Sequence, residues 1–322
     1  MTQSSWNGRP VLVTGAAGFI GSHLVEALLA RGASVLAVDC LESPWRLSGV
    51  AQNITYLNAD ITQWTRQNPP IEKVDVVFHL AAFAMPSAAE QQPESAFRHN
   101  VMGTVAILRL AREWKVSKFV FTSAGALYTN VPVYVPMDEQ HPIDPGQSVY
   151  AQTKRIGELL CDDAHRTYGV PTLYVRLFNT YGPRQAPEYL IPSFIAQAWA
   201  NGKVTVRNDT VKRDFTYVSD MVEALLKGAE SAYCGGPVNL GTGVEHSIGA
   251  VAALIGALLG VEVESLNQPV FGPKRQLCDA SLAKRVLRWE PVCPLEEGLR
   301  RTVQWFAEDP TLSIESGRAS SR

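Results

Sequence analysis

Two side chains that could carry proton transfer, Tyr150 and Lys154, lie four residues apart in a helical pattern. Residues at i and i+4 of a helix share a face, so the phenol and the ammonium are expected side by side. A phenol is a poor base at its ordinary pKa of about 10. A neighbouring ammonium, with a nicotinamide cation close by, favours the phenolate and lowers that pKa. The pair therefore predicts redox chemistry at a carbinol, with Tyr150 accepting the hydroxyl proton.

The dinucleotide that such chemistry needs is predicted by a glycine-rich loop near the start of the chain. The strand pattern Val11–Thr14 runs into a Gly-x-x-Gly-x-x-Gly loop, and a helical pattern follows over 19–31. The three glycines permit a sharp turn, close approach of the backbone to a pyrophosphate, and tight packing of the helix on the sheet. The helix N-terminus offers unpaired N–H groups and the positive end of its dipole to the phosphates. The predicted cofactor residues here are Gly15, Gly18, Phe19, Ile20 and Gly21.

Asp39 closes the second strand pattern and favours NAD over NADP. A carboxylate at this position accepts hydrogen bonds from the adenosine ribose hydroxyls and repels a 2′-phosphate. Arg46 lies a few residues further on, at a separation that makes it a poor ligand for a 2′-phosphate. The sequence therefore predicts an NAD site.

The elements that must position these residues form an α/β fold, a doubly wound parallel sheet of the Rossmann type. Strand patterns at 33–39, 54–57, 74–79, 118–123 and 172–177 alternate with helical patterns, of which the longest cover 93–115 and 150–168. His79, at the end of a buried strand pattern, is interpreted as a packed core histidine. The apolar stretch 248–263 is interpreted as a buried helix, too short and too rich in small residues to span a membrane.

Past Asn179 prolines interrupt the alternation, which predicts a change of domain. We expect a cofactor domain over 1–177 with a return near 213–240, and a smaller, discontinuous substrate lobe over 178–212 and 241–315. A disordered polar tail is expected over 316–322.

Composition excludes several classes of partner. The chain has 322 residues and a net charge of −2, so no basic field favours nucleic acid or an anionic membrane. Its five cysteines are scattered without a C-x-x-C pair, which predicts neither a metal site nor a disulfide framework. The polar first ten residues show no leader pattern. Together these features predict a cytoplasmic protein.

Several further motifs carry a family resemblance: Asn58-Ala59-Asp60-Ile61, His79-Leu80-Ala81-Ala82, Tyr150-Ala151-Gln152-Thr153-Lys154, Asn179-Thr180-Tyr181-Gly182-Pro183-Arg184 and Arg213-Asp214-Phe215-Thr216-Tyr217. With these motifs the sequence resembles, over nearly its whole length, the extended short-chain dehydrogenases/reductases of the NAD-dependent nucleotide-sugar epimerase/dehydratase family. The resemblance implies transient oxidation of a nucleotide-diphosphate sugar at C4. It also implies a homodimer formed by the two long helices.

The resemblance assigns further site residues. It implies cofactor contacts for Asp60, Ile61, Leu80, Ala81, Ala82 and Asn100, although Asn100 has the alternative of a buried polar group that satisfies backbone. It implies that Asn179, Arg184 and Arg213 hold the substrate, and a guanidinium suits a diphosphate because it can bind phosphate oxygens in a bidentate manner. The family's Arg-x-Gly-Asp element is missing, and Lys274 and Arg275 are the nearest cations that could replace it.

The sequence departs from the family where a Ser or Thr, four residues before the tyrosine of a Val-Tyr-Gly triplet, polarises the reacting sugar oxygen. Here that position holds Ala124, so Ser123 or Thr122 could substitute only with a local shift, and Ser123 is the predicted catalytic hydroxyl. The acidic pair of the 4,6-dehydratases is replaced by Gly125 and Ala126. Without that pair, hydride returning to C4 would leave a 5,6-alkene.

These departures favour dehydration of a UDP-hexosamine, UDP-N-acetylglucosamine, across C5–C6, an activity of antibiotic biosynthesis. Two alternatives remain open. A nucleotide-sugar 4-epimerase needs only Tyr150, Lys154 and rotation of the keto sugar. A catalytically silent NAD-binding sensor or interaction protein has no need of either side chain, and Ala124 is the best evidence for it.

Overall fold

The computed structural model describes residues 5–64, 73–269 and 272–308. In this part of the chain the helices are α1 (Phe19–Ala30), α2 (Pro86–Gln91), α3 (Pro93–Phe97), α4 (Gly103–Trp114), α5 (Val149–Tyr168), α6 (Leu190–Asn201), α7 (Val218–Glu230), α8 (Ile248–Leu259), α9 (Ser281–Leu287) and α10 (Leu295–Glu308). The strands are β1 (Pro10–Thr14), β2 (Ser34–Asp39), β3 (Thr55–Asn58), β4 (Val76–His79), β5 (Lys118–Ala124), β6 (Thr172–Leu177), β7 (Asn179–Tyr181), β8 (Lys203–Val206), β9 (Lys212–Tyr217), β10 (Pro237–Leu240), β11 (Glu245–Ser247), β12 (Glu262–Ser265) and β13 (Arg275–Gln276).

Seven strands form one parallel sheet in the order β10-β6-β5-β4-β1-β2-β3. Its central strands are buried on both faces, which explains their continuous apolar runs. One face packs on α1 and α7, and the other packs on α4 and α5. The predicted fold class, a doubly wound Rossmann-type sheet, is confirmed.

Smaller sheets lie outside this layer. Strand β9 pairs with β7, β11 and β13, and β8 pairs with β12. Within the predicted return over 213–240, β10 is a strand of the large sheet and α7 packs on that sheet, whereas β9 is a strand of a small sheet. The division into two lobes stays a prediction, and the tail expected over 316–322 lies outside the described residues.

Two helix predictions need correction. The pattern over 93–115 is not one helix, because α3 passes into a π-helical stretch, Arg98–Met102, before α4 begins. The apolar stretch 248–263 is not one helix either: α8 ends at Leu259, and the strand β12 follows. Gly260, at φ +68°, ends the helix in the left-handed conformation that glycine adopts most readily.

Candidate active site

A single cleft of about 1360 Å³ runs along the carboxyl ends of the parallel strands. The residues that line it follow β1, β2, β3, β4, β5 and β6, and residues from β8, β9 and β13 face them. This is where open α/β sheets bind their ligands. The cleft therefore contains most of the residues that the sequence predicted.

The glycine-rich loop forms a cradle that no side chain could enter. A Cβ on Gly15, at φ +69°, would lie 2.7 Å from the backbone nitrogen of Ala81, and a Cβ on Gly21 would lie 2.0 Å from the carbonyl oxygen of Gly15. No side chain caps the N-terminus of α1, so its first N–H groups face the cleft unpaired. Such a cradle fits the diphosphate of a dinucleotide.

Asp39 ends β2 at the rim of this cradle. One carboxylate oxygen accepts a hydrogen bond from the backbone N–H of Ala17 at 2.9 Å, and the other accepts one from Leu41 at 3.3 Å. The carboxylate is thereby held beside the glycine-rich loop, where the adenosine ribose of a dinucleotide lies in folds of this class.

Most other predicted cofactor residues line the same cleft: Asp60, Ile61, Leu80, Ala81 and Ala82. Asn100 does not line it. Its side-chain oxygen accepts from the N–H of Phe83 at 2.6 Å, and its amide donates to the hydroxyl of Thr153 at 2.9 Å. Asn100 thus joins the π-helical stretch to α5 and to the loop after β4, which is the buried structural role that the sequence left open.

Tyr150 and Lys154 lie on α5, as predicted, and both line the cleft. The Lys154 ammonium donates to the carbonyl of Thr122 at 2.7 Å and lies 5.9 Å from the centre of the Tyr150 ring. Burial lowers the pKa of Lys154 to about 8. Burial, with a smaller contribution from Tyr189, raises the pKa of Tyr150. Without the cofactor, burial dominates the pKa of Tyr150, and the lowering expected from the ammonium and the nicotinamide together stays a prediction.

Ser123 lies at the cleft wall, but its hydroxyl donates to the carboxylate of Glu158 at 2.7 Å. Glu158 is fully buried and forms an ion pair with Arg176 through two hydrogen bonds, at 2.8 and 2.9 Å. Ala124, Gly125 and Ala126 line the cleft next to it without polar side chains. In this arrangement the hydroxyl of Ser123 serves the buried carboxylate, and its catalytic role stays a prediction.

Two of the predicted substrate residues, Asn179 and Arg213, also line the cleft. The guanidinium of Arg213 donates to the carbonyl of Lys212 at 2.8 Å, and burial lowers its pKa to about 10. No carboxylate of the described residues forms an ion pair with it, so it is available to an anion. Gln276 lies beside Arg213 in the β9–β13 pairing and also lines the cleft. Sequence reasoning missed Gln276.

Three predicted substrate residues lie outside the cleft. Arg184 forms an ion pair with Glu26 on α1 at 2.6 Å, because its left-handed backbone, at φ +68°, turns it away. Arg275 pairs with Glu245, and Lys274 is exposed. Since neighbours on a strand point to opposite faces, β13 directs Gln276 rather than Arg275 into the cleft.

Within the described ranges no group of three or more His, Cys, Asp or Glu side chains could hold a metal ion. No described helix is long and apolar enough to cross a membrane.

Fold and cleft define a dinucleotide-dependent enzyme with a tyrosine–lysine pair. Comparison with known proteins is more specific: residues 11–241 match the model of the NAD dependent epimerase/dehydratase family. The chain belongs to this family, and its cofactor is NAD.

Two curated relatives differ in activity. The chain is 34% identical to UDP-glucuronic acid decarboxylase 1 of Xenopus tropicalis, over 93% of this chain and 72% of the relative. It is also 34% identical to UDP-glucuronate 4-epimerase of Thermodesulfobacterium geofontis, over 92% of this chain and 96% of the relative.

Two solved structures share the fold. The epimerase Mth375 of Methanothermobacter thermautotrophicus has a TM-score of 0.89 at 30% identity, covering 97% of this chain and 96% of that one. TunA, an NDP-hexosamine 5,6-dehydratase of tunicamycin biosynthesis, has a TM-score of 0.85 at 28% identity, covering 95% and 99%. The proteins similar to this chain thus include a 5,6-dehydratase, the activity expected from the sequence, together with epimerases and a decarboxylase.

Proposed function

We propose that the protein is a nucleotide-sugar 4-epimerase, which oxidises the sugar at C4 and reduces it again from the other face. The observation that carries this proposal concerns the sugar end of the cleft, the part lined by residues 124–126, Tyr150 and Asn179. There Tyr150 is a phenol with an ammonium beside it, that of Lys154, and the neighbouring wall of residues 124–126 carries no acid or base.

Among the described residues, the carboxylates that line the cleft are those of Asp39, Asp60 and Glu188. Asp39 and Asp60 follow β2 and β3, and β2 is three places from β5 in the sheet, a separation of about 14 Å at the usual strand spacing. These two acids are too far from Tyr150 to remove a proton from C5, a step that dehydration requires and epimerisation does not. Glu188 adjoins Tyr189, which acts electrostatically on Tyr150, so it is the lining carboxylate that a dehydration would have to use.

Each residue then has a definite task. Bound NAD supplies the acceptor for the hydrogen of C4 and returns it, so no net oxidation results. Tyr150 accepts the proton of the C4 hydroxyl, and Lys154 provides the positive charge that stabilises its phenolate. Asn179 and Arg213 hold the diphosphate, while the small side chains of Ala124 and Ala126 leave room for the keto sugar to turn about that anchor.

A second candidate is dehydration of UDP-N-acetylglucosamine across C5–C6. It is favoured by Gly125 and Ala126, which stand where 4,6-dehydratases carry acids, and by the similarity to TunA. Both candidates return the hydrogen to C4. Dehydration also removes the C5 proton and the C6 hydroxyl as water, whereas epimerisation keeps both and returns the hydrogen to the other face of C4.

The test is incubation of the purified protein with UDP-glucose, UDP-N-acetylglucosamine, UDP-glucuronate and dTDP-glucose, followed by mass spectrometry and separation of isomers. An unchanged mass with a new 4-epimer is expected for at least one sugar. Loss of one water would establish the dehydratase instead, and loss of carbon dioxide a decarboxylase. NAD binding without conversion of any sugar would support the silent alternative.

A further inference from the structure

Arg46 lines the NAD cleft, although its spacing from Asp39 predicts no cofactor contact for it. It follows β2 at the start of a 3-10 segment, Trp45–Asn53, and the next residue, Leu47, is fully buried and anchors the segment. The guanidinium stacks on the Trp45 ring at 4.3 Å from its centre. The anchored backbone and the Trp45 ring together restrict the position of the guanidinium.

Two carbonyl groups orient the guanidinium. Nε donates to the carbonyl oxygen of Arg184 at 3.0 Å, and Nη1 lies 3.5 Å from the carbonyl oxygen of Ala17, within the glycine-rich loop. The described residues give Nη2 no hydrogen-bond partner and give the side chain no ion pair. A guanidinium has five N–H donors, so most of them remain available to a ligand in the cleft.

The electrostatics of this position favour an anion. Burial lowers the pKa of Arg46, and the carboxylates of Asp39 and Glu188 offset this only in part, so the guanidinium is incompletely compensated where it lies. The contact with Ala17 places it beside the glycine-rich loop and the unpaired N-terminus of α1, the two features that fit a diphosphate. Arginine binds phosphate oxygens through parallel N–H donors, more specifically than a point charge does.

We propose that Arg46 is a ligand of the NAD diphosphate. The proposal rests on the NAD dependence of the family and not on the sugar chemistry. It also gives the Gly182–Gln185 turn a function, since this turn supplies the Arg184 carbonyl that orients Arg46. The turn is itself held to α1 by His23, whose Nε2 lies 2.9 Å from the Pro183 carbonyl oxygen, and by the Arg184–Glu26 ion pair.

The experiment measures binding of NAD, NADP, ADP and adenosine to the nucleotide-free full chain by calorimetry, without any sugar present. Arg46→Gln should weaken NAD and ADP about tenfold or more, as expected for loss of a charge-assisted hydrogen bond, and leave adenosine unchanged. Arg46→Lys keeps the charge but not the forked donors, so its affinity for NAD and ADP should lie between those of the wild type and Arg46→Gln. Arg112→Gln is the matched control, because Arg112 also stacks on an aromatic ring, 3.9 Å from the centre of Tyr168, but outside the cleft.

Three results would overturn the proposal. Unchanged ADP affinity in Arg46→Gln would show that the guanidinium does not bind the diphosphate. Equal losses for ADP and adenosine would mean that Arg46 only shapes the loop. A loss confined to NADP would identify it as a ligand of the 2′-phosphate. Because no sugar is present, none of these results bears on the proposed epimerisation.

Discussion

At the scale of single residues, Tyr150 carries the proposed chemistry. Its pKa is raised by burial in the protein alone, so the Lys154 charge and the bound cofactor must together favour the phenolate. Tyr150→Phe removes one hydroxyl and should lower turnover by a factor on the order of 10²–10⁴, the usual scale of general acid–base catalysis. KM should change little, because in the proposed function Asn179 and Arg213 hold the diphosphate. Steady-state kinetics on the preferred sugar check both parameters.

Lys154→Ala should be comparably slow, through loss of the charge beside the phenol. The control is Tyr174→Phe, since the Tyr174 hydroxyl donates to Asp162 at 3.0 Å, away from the cleft. Near-normal turnover of Tyr150→Phe would rule out the redox cycle at C4.

The buried His79 should make the folded protein less stable in acid. Thr104 donates its hydroxyl hydrogen to the carbonyl of Asn100, so it can only accept from His79 Nε2, at 2.9 Å, and Thr14 then donates to Nδ1 at 2.7 Å. These bonds fix the neutral imidazole. Burial, assisted by the Lys154 charge, lowers the His79 pKa from 6.5 to about 3.

The lowered His79 pKa determines how the free energy of unfolding changes with pH. As the pH falls, the unfolded chain takes up the His79 proton first, so the stabilisation is complete above pH 6.5 and is lost towards pH 3. At pH 5 this group alone should reduce the free energy of unfolding by about 2 kcal/mol relative to pH 7. Urea unfolding of the wild type and His79→Asn at both pH values measures it. Identical pH dependence in the two proteins would contradict the assignment.

Local spacing made some site residues predictable and left others unpredictable. The cradle of Gly15, Gly18 and Gly21 follows from adjacent residues, whose conformations are set by neighbouring turns. Whether Arg275 or Gln276 faces the cleft depends on the pairing of β13 with β9, which sequence spacing alone does not fix. The position of Arg46 in the cleft was not predictable, because its partners, the carbonyl groups of Ala17 and Arg184, are distant in sequence.

At the scale of elements, α5 is held against the sheet by a buried charge network one turn beyond Lys154. Glu158 binds Arg176 on β6, Ser123 on β5 and Arg155 on its own helix. The alternation of strands and helices predicts α5 and β5, but a buried ion pair joins residues far apart in sequence and leaves no local pattern. This network engages the Ser123 hydroxyl, which would have to leave Glu158 in order to replace the hydroxyl missing at Ala124.

Ser123→Ala separates the two roles of that hydroxyl. We expect a loss of about 1 kcal/mol in the free energy of unfolding, because Glu158 keeps its bonds to Arg176. Turnover should fall much less than it does in Tyr150→Phe. Ala124→Ser, which places a hydroxyl in the cleft, should raise turnover. Denaturant unfolding and kinetics on both variants test this. A Ser123→Ala enzyme that is a hundredfold slower but equally stable would show that the Ser123 hydroxyl acts in catalysis.

Glu158→Gln is the corresponding test of the ion pair. It leaves the Arg176 guanidinium, 4% exposed, without a counter-charge, and breaking a buried pair in this way costs about 3–5 kcal/mol. A large fall in the unfolding midpoint is therefore expected. A variant as stable as the wild type would show that the pair contributes nothing to holding α5.

At the scale of the whole molecule, α5 packs against α3, α4 and the π-helical stretch between them, and these elements carry apolar side chains that the single chain leaves exposed. Met102 is 54% exposed, Leu159 49%, Val105 39% and Phe97 36%. Such a group of exposed apolar side chains on adjoining elements is typical of an interface. It supports the homodimer that the family resemblance implies, in which these helices would meet their copies.

The prediction is a dimer at micromolar concentration, measured by light scattering coupled to gel filtration. A stable interface buries about 800 Å² on each partner, and two charges in its apolar centre should dissociate it. The double variant Met102→Glu/Leu159→Glu should therefore run as a monomer. Val292→Glu serves as the control, because Val292 is 83% exposed but lies in the segment before α10, far along the chain from both helices. A wild-type protein of monomeric mass would refute the dimer, and dissociation by Val292→Glu alone would move the interface to another face.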